Sequence, residues 1–125
     1  MIKISDWMSK PVIYAKPDDS IFSVVKKMVK HDIGCLVVED KENNTCGIIT
    51  ERDILKKGIA NENDLKLLKV NNIMTRNIQT VSVDASVIEV LKLMNKGKFR
   101  DTPITKDGNI VGIITSQDLI KILSV

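Results

Sequence analysis

Hydrophobic and polar positions follow two different periods in the first half of the chain, and each period predicts one kind of element. Apolar residues within residues 21–29 recur every three or four positions with lysines between them, which predicts an amphipathic helix. Residues 35–39 and 46–50 are short, mostly apolar runs on either side of the polar segment 41–45, which predicts a hairpin of two strands. A helical pattern returns at residues 51–57.

Residues at the ends of these segments refine the prediction. Ser20 is a favourable N-cap for the first helix, and Gly58 is a favourable stop for the second. Residues 12–15, which lie between two prolines, predict a short strand ahead of the first helix, and residues 4–8 predict one helical turn. The predicted order is therefore β-α-β-β-α.

The second half of the chain repeats this order. Its predicted strands are residues 78–81, 102–105 and 110–115, and its predicted helices are residues 86–96 and 116–123. Residues 106–109 read Lys-Asp-Gly-Asn, which is favourable chemistry for a hairpin turn. The predicted fold class is therefore α/β in the broad α+β sense, with two β-α-β-β-α repeats.

The two halves end in nearly the same seven-residue motif, which indicates an internal duplication. Residues 47–53 read Gly-Ile-Ile-Thr-Glu-Arg-Asp, and residues 112–118 read Gly-Ile-Ile-Thr-Ser-Gln-Asp. Five more residue pairs match at one constant separation: Met8 with Met74, Asp18 with Asp84, Ser20 with Ser86, Val24 with Val90, and Met28 with Met94. We divide the chain into a first repeat at residues 1–58, a linker at 59–69 and a second repeat at 70–125. The length suits one compact domain or two half-domains that share a core, because two copies of a repeat can close one core between them by packing face to face.

Composition narrows the class of protein. Hydrophobic residues make up 43% of the chain but aromatic residues only 3%, so we expect an aliphatic core and no aromatic platform for stacking bases. The net charge of +3 is mild and the lysines are dispersed, which favours a solvated surface over a nucleic-acid patch. No apolar run reaches membrane-spanning length and no signal-peptide pattern is present, so we expect a cytoplasmic protein without a membrane partner.

Residues capable of metal binding or catalysis are sparse. Cys35 and Cys46 lack the spacing of a zinc site, and His31 is the one histidine, so no metal is expected and the cysteines are interpreted as reduced thiols. The sequence contains no serine–histidine–aspartate set and no phosphate-binding glycine loop of the Walker type. We therefore predict no enzyme activity and no catalytic residue.

The two Thr-x-x-Asp motifs have two open interpretations. Thr50 and Thr115 precede predicted helices, and Asp53 and Asp118 fall in the first turn, which is the arrangement of a helix cap. A helix start with a fixed carboxylate is also a place to hold a nucleotide. Spacing alone favours capping, and the two roles are compatible because a capped helix start keeps free N–H groups.

A β-α-β-β-α unit that ends in Gly-Ile-Ile-Thr-x-x-Asp resembles the CBS domain, the module named after cystathionine beta-synthase. Residues 28–40 (Met-Val-Lys-His-Asp-Ile-Gly-Cys-Leu-Val-Val-Glu-Asp) and 98–104 (Lys-Phe-Arg-Asp-Thr-Pro-Ile) resemble its central segment. The resemblance extends from Trp7 to Leu123 and occurs in both halves. The chain is therefore similar to a tandem CBS pair, or Bateman module, with no other domain attached.

The resemblance implies a pseudo-two-fold pairing of the repeats with two related clefts. Family members commonly bind AMP, ADP, ATP or S-adenosylmethionine there. By the family pattern, Asp53 and Asp118 accept hydrogen bonds from ribose hydroxyls, and Thr50 and Thr115 contact ribose or phosphate. No cofactor is required in this interpretation, because the adenosine compound is a regulatory ligand.

The resemblance also assigns residues to each cleft. The first comprises Thr50, Arg52, Asp53, Phe99 and Arg100, and the second comprises Thr115, Asp118, Ile33, Gly34 and Cys35. Candidate adenine contacts are Ile13, Ile78 and Pro103. Arg52 and Arg100 suit phosphate, so we expect the first cleft to be the better phosphate site. The second has Gln117 and Gly34 at these positions and is expected to hold a less charged ligand or none.

The sequence thus favours a small regulatory sensor that binds adenine nucleotides without catalysis. The alternative is a protein-interaction module, or less favourably a nucleic-acid-binding module, with vestigial clefts. We also expect a homodimer, because residues 1–8 and 119–125 carry more apolar side chains than one small core covers. The regulated protein partner is unknown from sequence.

Overall fold

The computed structural model describes residues 2–124 and arranges them in two compact units. The central unit is Ile13–Ile78, and the terminal unit joins the N-terminal residues through Val12 to the residues from Gln79 onward. Met1 and Val125 are the outer ends of the segments predicted to support a dimer, and both lie outside the described residues.

The central unit contains a three-stranded sheet. Its strands are β1 (Tyr14–Ala15), β2 (Cys35–Glu39) and β3 (Thr45–Thr50), in the spatial order β1-β2-β3. Strand β1 runs parallel to β2, and β2 runs antiparallel to β3. The hairpin predicted from the two apolar runs is therefore confirmed, and β2 has the predicted bounds.

Three helical segments belong to the central unit. They are α1 (Ile21–His31), α2 (Glu51–Asp53, continued by a π-helical segment at Ile54–Ile59) and α3 (Val70–Ile73). Helix α1 begins as predicted, because the side chain of Ser20 accepts a hydrogen bond from the Ser23 N–H. Its C-cap, Asp32, adopts a left-handed conformation with φ of 53° and ends the helix just before β2.

The terminal unit repeats this plan. Its strands are β4 (Val81–Ser82), β5 (Asp101–Lys106) and β6 (Asn109–Thr115), with β4 parallel to β5 and β5 antiparallel to β6. Asp107 and Gly108 form the turn of this hairpin with φ of 52° and 80°, conformations that an Asp-Gly pair favours. The predicted α+β class and the repeated β-α-β-β-α order are confirmed.

Two helices and a 3-10 turn complete the terminal unit. They are α4 (Val87–Gly97), α5 (Ser116–Leu123) and the turn at Ile4–Asp6. Helix α5 has the predicted bounds, and Ser86 caps α4 by accepting a hydrogen bond from the Glu89 N–H. Across residues 2–124, no helix combines the length and the apolar character that crossing a membrane would require.

Each unit has its own aliphatic core, in which one face of the sheet packs against helices. Buried residues of the central core include Val24, Met28, Leu36, Ile49 and Val70. Buried residues of the terminal core include Ile4, Val90, Ile104, Ile114 and Leu119. Each fully buried aliphatic side chain contributes about 1.5–3 kcal/mol to the stability of the folded state. These cores therefore hold in place the sheets whose strands lead into the candidate site.

The packing units and the sequence repeats divide the chain differently. Helix α3 follows the linker in sequence, yet Val70 and Ile73 are buried in the central core. The 3-10 turn begins the first repeat, yet Ile4 is buried in the terminal core. The first segment of each sequence repeat therefore packs in the unit that contains most of the other repeat. The boundaries 1–58, 59–69 and 70–125 stay a prediction about the sequence repeat.

The prediction that Gly58 stops the second helix is wrong. Helical structure continues through it to Ile59, and Gly58 is buried. A Cβ at this position would lie 3.3 Å from the Cδ2 of Leu65 and 3.6 Å from the Cδ2 of Leu68. The glycine therefore lets the linker leucines pack closely against the helix, a tertiary role that a stop signal in the sequence does not distinguish.

Candidate functional site

The junction between β3 and α2 holds the first predicted carboxylate. Thr50 ends the strand in an extended conformation, and its side-chain Oγ1 accepts a hydrogen bond from the Asp53 N–H at 3.2 Å. The Asp53 Oδ2 atom accepts hydrogen bonds from the Thr50 N–H and the Thr50 hydroxyl, both at 3.1 Å. This reciprocal pair is a capping box, so the capping interpretation of Thr50 and Asp53 is confirmed.

The junction between β6 and α5 has the same geometry. The Thr115 Oγ1 accepts from the Asp118 N–H at 3.2 Å, and the Asp118 Oδ2 accepts from the Thr115 N–H at 2.8 Å and from its hydroxyl at 3.0 Å. The backbone angles of Thr115, φ −115° and ψ 164°, nearly equal those of Thr50, φ −118° and ψ 162°. Each unit therefore holds one carboxylate in the same orientation relative to its own strand and helix.

The two carboxylates differ in their remaining partners. The Asp53 Oδ1 atom accepts a hydrogen bond from the Thr75 hydroxyl at 3.0 Å and lies 3.2 Å from the Lys57 Nζ. Asp53 is buried, with 7% of its surface exposed. Asp118 is half-buried, and within residues 2–124 its Oδ1 has no hydrogen-bond or ion-pair partner.

Sequence reasoning missed Thr75 and Lys57 as neighbours of Asp53. Lys57 lies four residues after Asp53 on one helical face, a spacing at which opposite charges commonly meet, so this contact was readable from sequence. Thr75 corresponds to Ser9 in the repeat alignment. The alignment indicates a hydroxyl at that position in both repeats, but not its contact with a residue 22 positions away.

In each unit, the start of a central strand lies beside its own Thr–Asp junction. The Gly34 carbonyl accepts a hydrogen bond from the Glu51 N–H at 3.0 Å, and Cys35 lies opposite Thr50 in the sheet. The Arg100 carbonyl accepts from the Ser116 N–H at 2.8 Å. A Cβ at Gly34 would meet the Glu51 carboxylate, the mobile end of an exposed side chain, and the second repeat has Arg100 at this position.

The other predicted site residues divide between the units. Ile13 and Ile33 pack against the central core, and Phe99 packs against the terminal core. Pro103 is buried in β5 and Ile78 is half-buried, whereas Arg52 and Arg100 are exposed. The predicted clefts combine Asp53 with Phe99 and Arg100, and Asp118 with Ile33, Gly34 and Cys35. These combinations draw on both units and stay predictions.

Both halves of the chain match one known family of protein domains. The model of the CBS domain family matches residues 4–60 and 70–125. This chain belongs to the CBS-domain family. The match covers both halves separately, so the resemblance to a tandem CBS pair is confirmed. Within residues 2–124, no group of three or more His, Cys, Asp or Glu side chains has the arrangement of a metal site.

Relatives support the same family over nearly the full chain. An uncharacterized 17.7 kDa protein of Acidianus ambivalens is 36% identical over 122 residues, which are 97% of this chain and 73% of that protein. The chain spans only 62% of another relative, MJ0450 of Methanocaldococcus jannaschii, at 35% identity over 117 residues and 92% of this chain. These relatives are longer than the present chain.

Solved structures match the fold closely. A conserved protein of Pyrococcus horikoshii superposes with a TM-score of 0.90 at 32% identity, covering 98% of this chain and 92% of that one. The CBS pair of the protein MJ0100 superposes with a TM-score of 0.85 at 33% identity, covering 98% and 99%. The MJ0100 pair was crystallised in complex with 5′-methylthioadenosine and S-adenosyl-L-methionine.

Proposed function

We propose that this CBS pair is a regulatory module that binds an adenosine-type ligand and catalyses no reaction. The observation that carries the proposal is the Thr–Asp junction, which occurs twice with one geometry in a family whose member MJ0100 holds two adenosine derivatives. AMP, ADP, ATP and S-adenosylmethionine are the candidate ligands. We also propose that the protein is cytoplasmic, as expected from its sequence.

The chemistry of the junction suits a ribose. The two adjacent hydroxyls of a ribose are donors, and a carboxylate accepts hydrogen bonds without donating any. At both junctions the cap occupies Oδ2 through the threonine N–H and hydroxyl, and it fixes the carboxylate before any ligand arrives. A prearranged acceptor binds more tightly because the ligand does not have to order it.

The assignment of residues follows the predicted clefts. Asp53 and Thr50, with the exposed guanidinium groups of Arg52 and Arg100, form the site we assign to phosphate-bearing ligands. Asp118 and Thr115, with Ile33, Gly34 and Cys35, form the site we assign to less charged ligands. Ile13, Ile78 and Pro103 remain the candidate contacts for adenine.

Regulation requires that the ligand bind two states of the protein unequally. Asp53 joins the start of α2 to Thr75, which follows α3, so a ligand that takes over its hydrogen bonds changes how these segments are tied together. A protein partner that contacts either segment would sense the change. We also propose that the protein acts as a homodimer, which light scattering at micromolar concentration tests directly.

The decisive experiment is calorimetric titration of the wild type with AMP, ATP, S-adenosylmethionine and 5′-methylthioadenosine, repeated with Asp53→Asn and Asp118→Asn. Each substitution keeps the side-chain shape and removes the charge, and melting curves check that each variant folds. We expect at least one ligand to bind and at least one substitution to weaken it ten-fold or more.

Other outcomes distinguish the alternatives. Absence of binding by all four compounds would contradict the proposal and leave the junctions as helix caps alone. Steeply salt-dependent binding of DNA or RNA that survives both substitutions would favour the alternative of a nucleic-acid module with vestigial clefts. Hydrolysis of ATP that depends on Asp53 would contradict the non-catalytic assignment.

A further inference from the structure

The two carboxylates differ in the hydrogen-bond acceptor positions that they leave open to a ribose. The caps use the same atom, Oδ2, at both junctions. The second oxygen of Asp53 is shared by the Thr75 hydroxyl at 3.0 Å and the Lys57 ammonium at 3.2 Å. The second oxygen of Asp118 has no such partner within residues 2–124.

A ribose diol needs acceptor positions, and a carboxylate offers about four of them. At Asp118 the diol finds Oδ1 open, whereas at Asp53 it must displace an internal donor. We propose that Lys57 and Thr75 occupy the acceptor positions of the Asp53 Oδ1 atom and so compete with a ligand for them. An adenosine-type ligand therefore fills the Asp118 site first. It fills the Asp53 site only after Lys57 has been released. This inference rests on the proposed function and assigns an order of filling and the residues that set it.

Lys57 is the movable member of this pair of donors. Its side chain is 49% exposed, and its ammonium also donates a hydrogen bond to the Ile73 carbonyl at 3.2 Å. The Lys57 end of this ion pair is open to water and is screened by salt, so we expect the pairing of Lys57 with Asp53 to weaken as ionic strength rises. Thr75 is held more firmly, because its backbone exchanges hydrogen bonds of 2.9 and 2.8 Å with Ile48.

The second repeat lacks both donors at the matching positions. Alignment of the repeats places Ile122 at the position of Lys57 and Ser9 at the position of Thr75. Ile122 is a buried core residue, so α5 carries no cation there. Ser9 forms the same backbone bridge to Ile113 that Thr75 forms to Ile48, but no hydrogen bond joins its hydroxyl to Asp118 in the described part of the chain. The difference between the sites therefore lies in two side chains on an otherwise repeated backbone.

The test uses 5′-methylthioadenosine, which carries no phosphate and no net charge, so that salt acts on the protein's internal ion pair rather than on the ligand. The proteins are the wild type, Lys57→Met and the matched control Lys56→Met. Lys56 is an exposed neighbour, and within residues 2–124 it forms no hydrogen bond or ion pair with Asp53. We expect Lys57→Met to strengthen the weaker binding event about two- to five-fold and Lys56→Met to leave it unchanged. Lys57→Arg should restore weak binding.

Salt and the carboxylates supply the remaining readouts. Raising the salt concentration should strengthen the weaker event in the wild type but not in Lys57→Met, a response that a merely structural role of Lys57 would not produce. Asp118→Asn should weaken the tighter event at least ten-fold, and Asp53→Asn should weaken the other. Loss of the tighter event in Asp53→Asn, or equal behaviour of Lys57→Met and Lys56→Met, would overturn the order of filling while the proposed function stands. Failure of every variant to bind would instead remove the proposed function.

Discussion

The hydroxyl of Thr75 donates to both carboxylate oxygens of Asp53, at 3.0 and 3.2 Å, although 22 residues separate the two in sequence. The backbone holds Thr75 there through its two-way bridge to Ile48 in β3. Because β3 ends at Thr50, the bridge places Thr75 beside the strand–helix junction. The end of β3, the start of α2 and the segment after α3 therefore form one hydrogen-bonded assembly around Asp53.

We expect Thr75→Val to destabilise the protein by about 1–2 kcal/mol, because the substitution keeps the side-chain shape and removes a donor to a buried carboxylate. Urea unfolding measures the change in the free energy of unfolding. The matched control is Ser9→Ala, which removes the hydroxyl at the equivalent position of the other repeat and should cost less than about 0.5 kcal/mol. Equal costs for the two variants would contradict the assigned role of Thr75.

We expect Gly47→Ala to destabilise the protein more than Gly112→Ala, its equivalent in the second repeat. A Cβ at Gly47 would lie 2.5 Å from the backbone oxygen of Thr75, which the bridge to Ile48 prevents from moving away. A Cβ at Gly112 would meet the thioether of Met8, the flexible end of a long side chain. Overpacking against fixed backbone costs about 1–3 kcal/mol, and thermal or urea unfolding of the two variants measures the difference.

Local patterns predicted the elements that local forces determine. The apolar run of β2 and the capped apolar face of α5 gave the observed bounds, because burial and capping act within each segment. The Asp-Gly pair predicted the β5–β6 turn for the same reason. Recurrence of the Thr–Asp motif predicted two capped junctions, and both are present with one geometry.

Local sequence patterns did not predict the contacts between segments that are distant in the chain. Gly58 is typical of a helix stop, yet helical structure continues through it to Ile59, and Leu65 and Leu68 pack against it. The arginines predict that the Asp53 site is the better phosphate site, but the sequence pattern does not reveal that Thr75 and Lys57 contact the Asp53 carboxylate. We therefore expect the arginines to favour phosphate at the Asp53 site and the open Oδ1 atom to favour ribose at the Asp118 site, and only the second expectation depends on a contact made by the fold.

We expect Thr102→Val to stabilise the protein by about 1 kcal/mol. Thr102 is fully buried in β5, and within residues 2–124 its hydroxyl has no hydrogen-bond partner. The first repeat has Leu36 at the equivalent position, which shows that the fold accepts an apolar side chain there. Thr105→Val is the control, because the Thr105 hydroxyl donates to the Val81 carbonyl at 3.3 Å and its removal should destabilise. A rise in the melting temperature for Thr102→Val and a fall for Thr105→Val is the expected result.

The phosphate preference of the two sites gives a prediction about Arg52 and Gln117, which occupy equivalent positions before the two aspartates. We expect Arg52→Gln to weaken ATP binding about three- to ten-fold, because an exposed guanidinium forms a charge-assisted but solvent-screened contact with phosphate. Binding of 5′-methylthioadenosine should change less than two-fold, since that compound has no phosphate.

Lys56→Gln removes the same charge from a neighbouring exposed position and controls for long-range electrostatics. Gln117→Arg should have the opposite effect and increase the ATP affinity of the Asp118 site by a similar factor, because it supplies the cation that the second repeat lacks at this position. Calorimetry with the two ligands at two salt concentrations measures both effects, and the gain from Gln117→Arg should shrink as salt rises. An equal loss of ATP and 5′-methylthioadenosine binding in Arg52→Gln would mean that Arg52 supports the site structurally rather than by contact with phosphate.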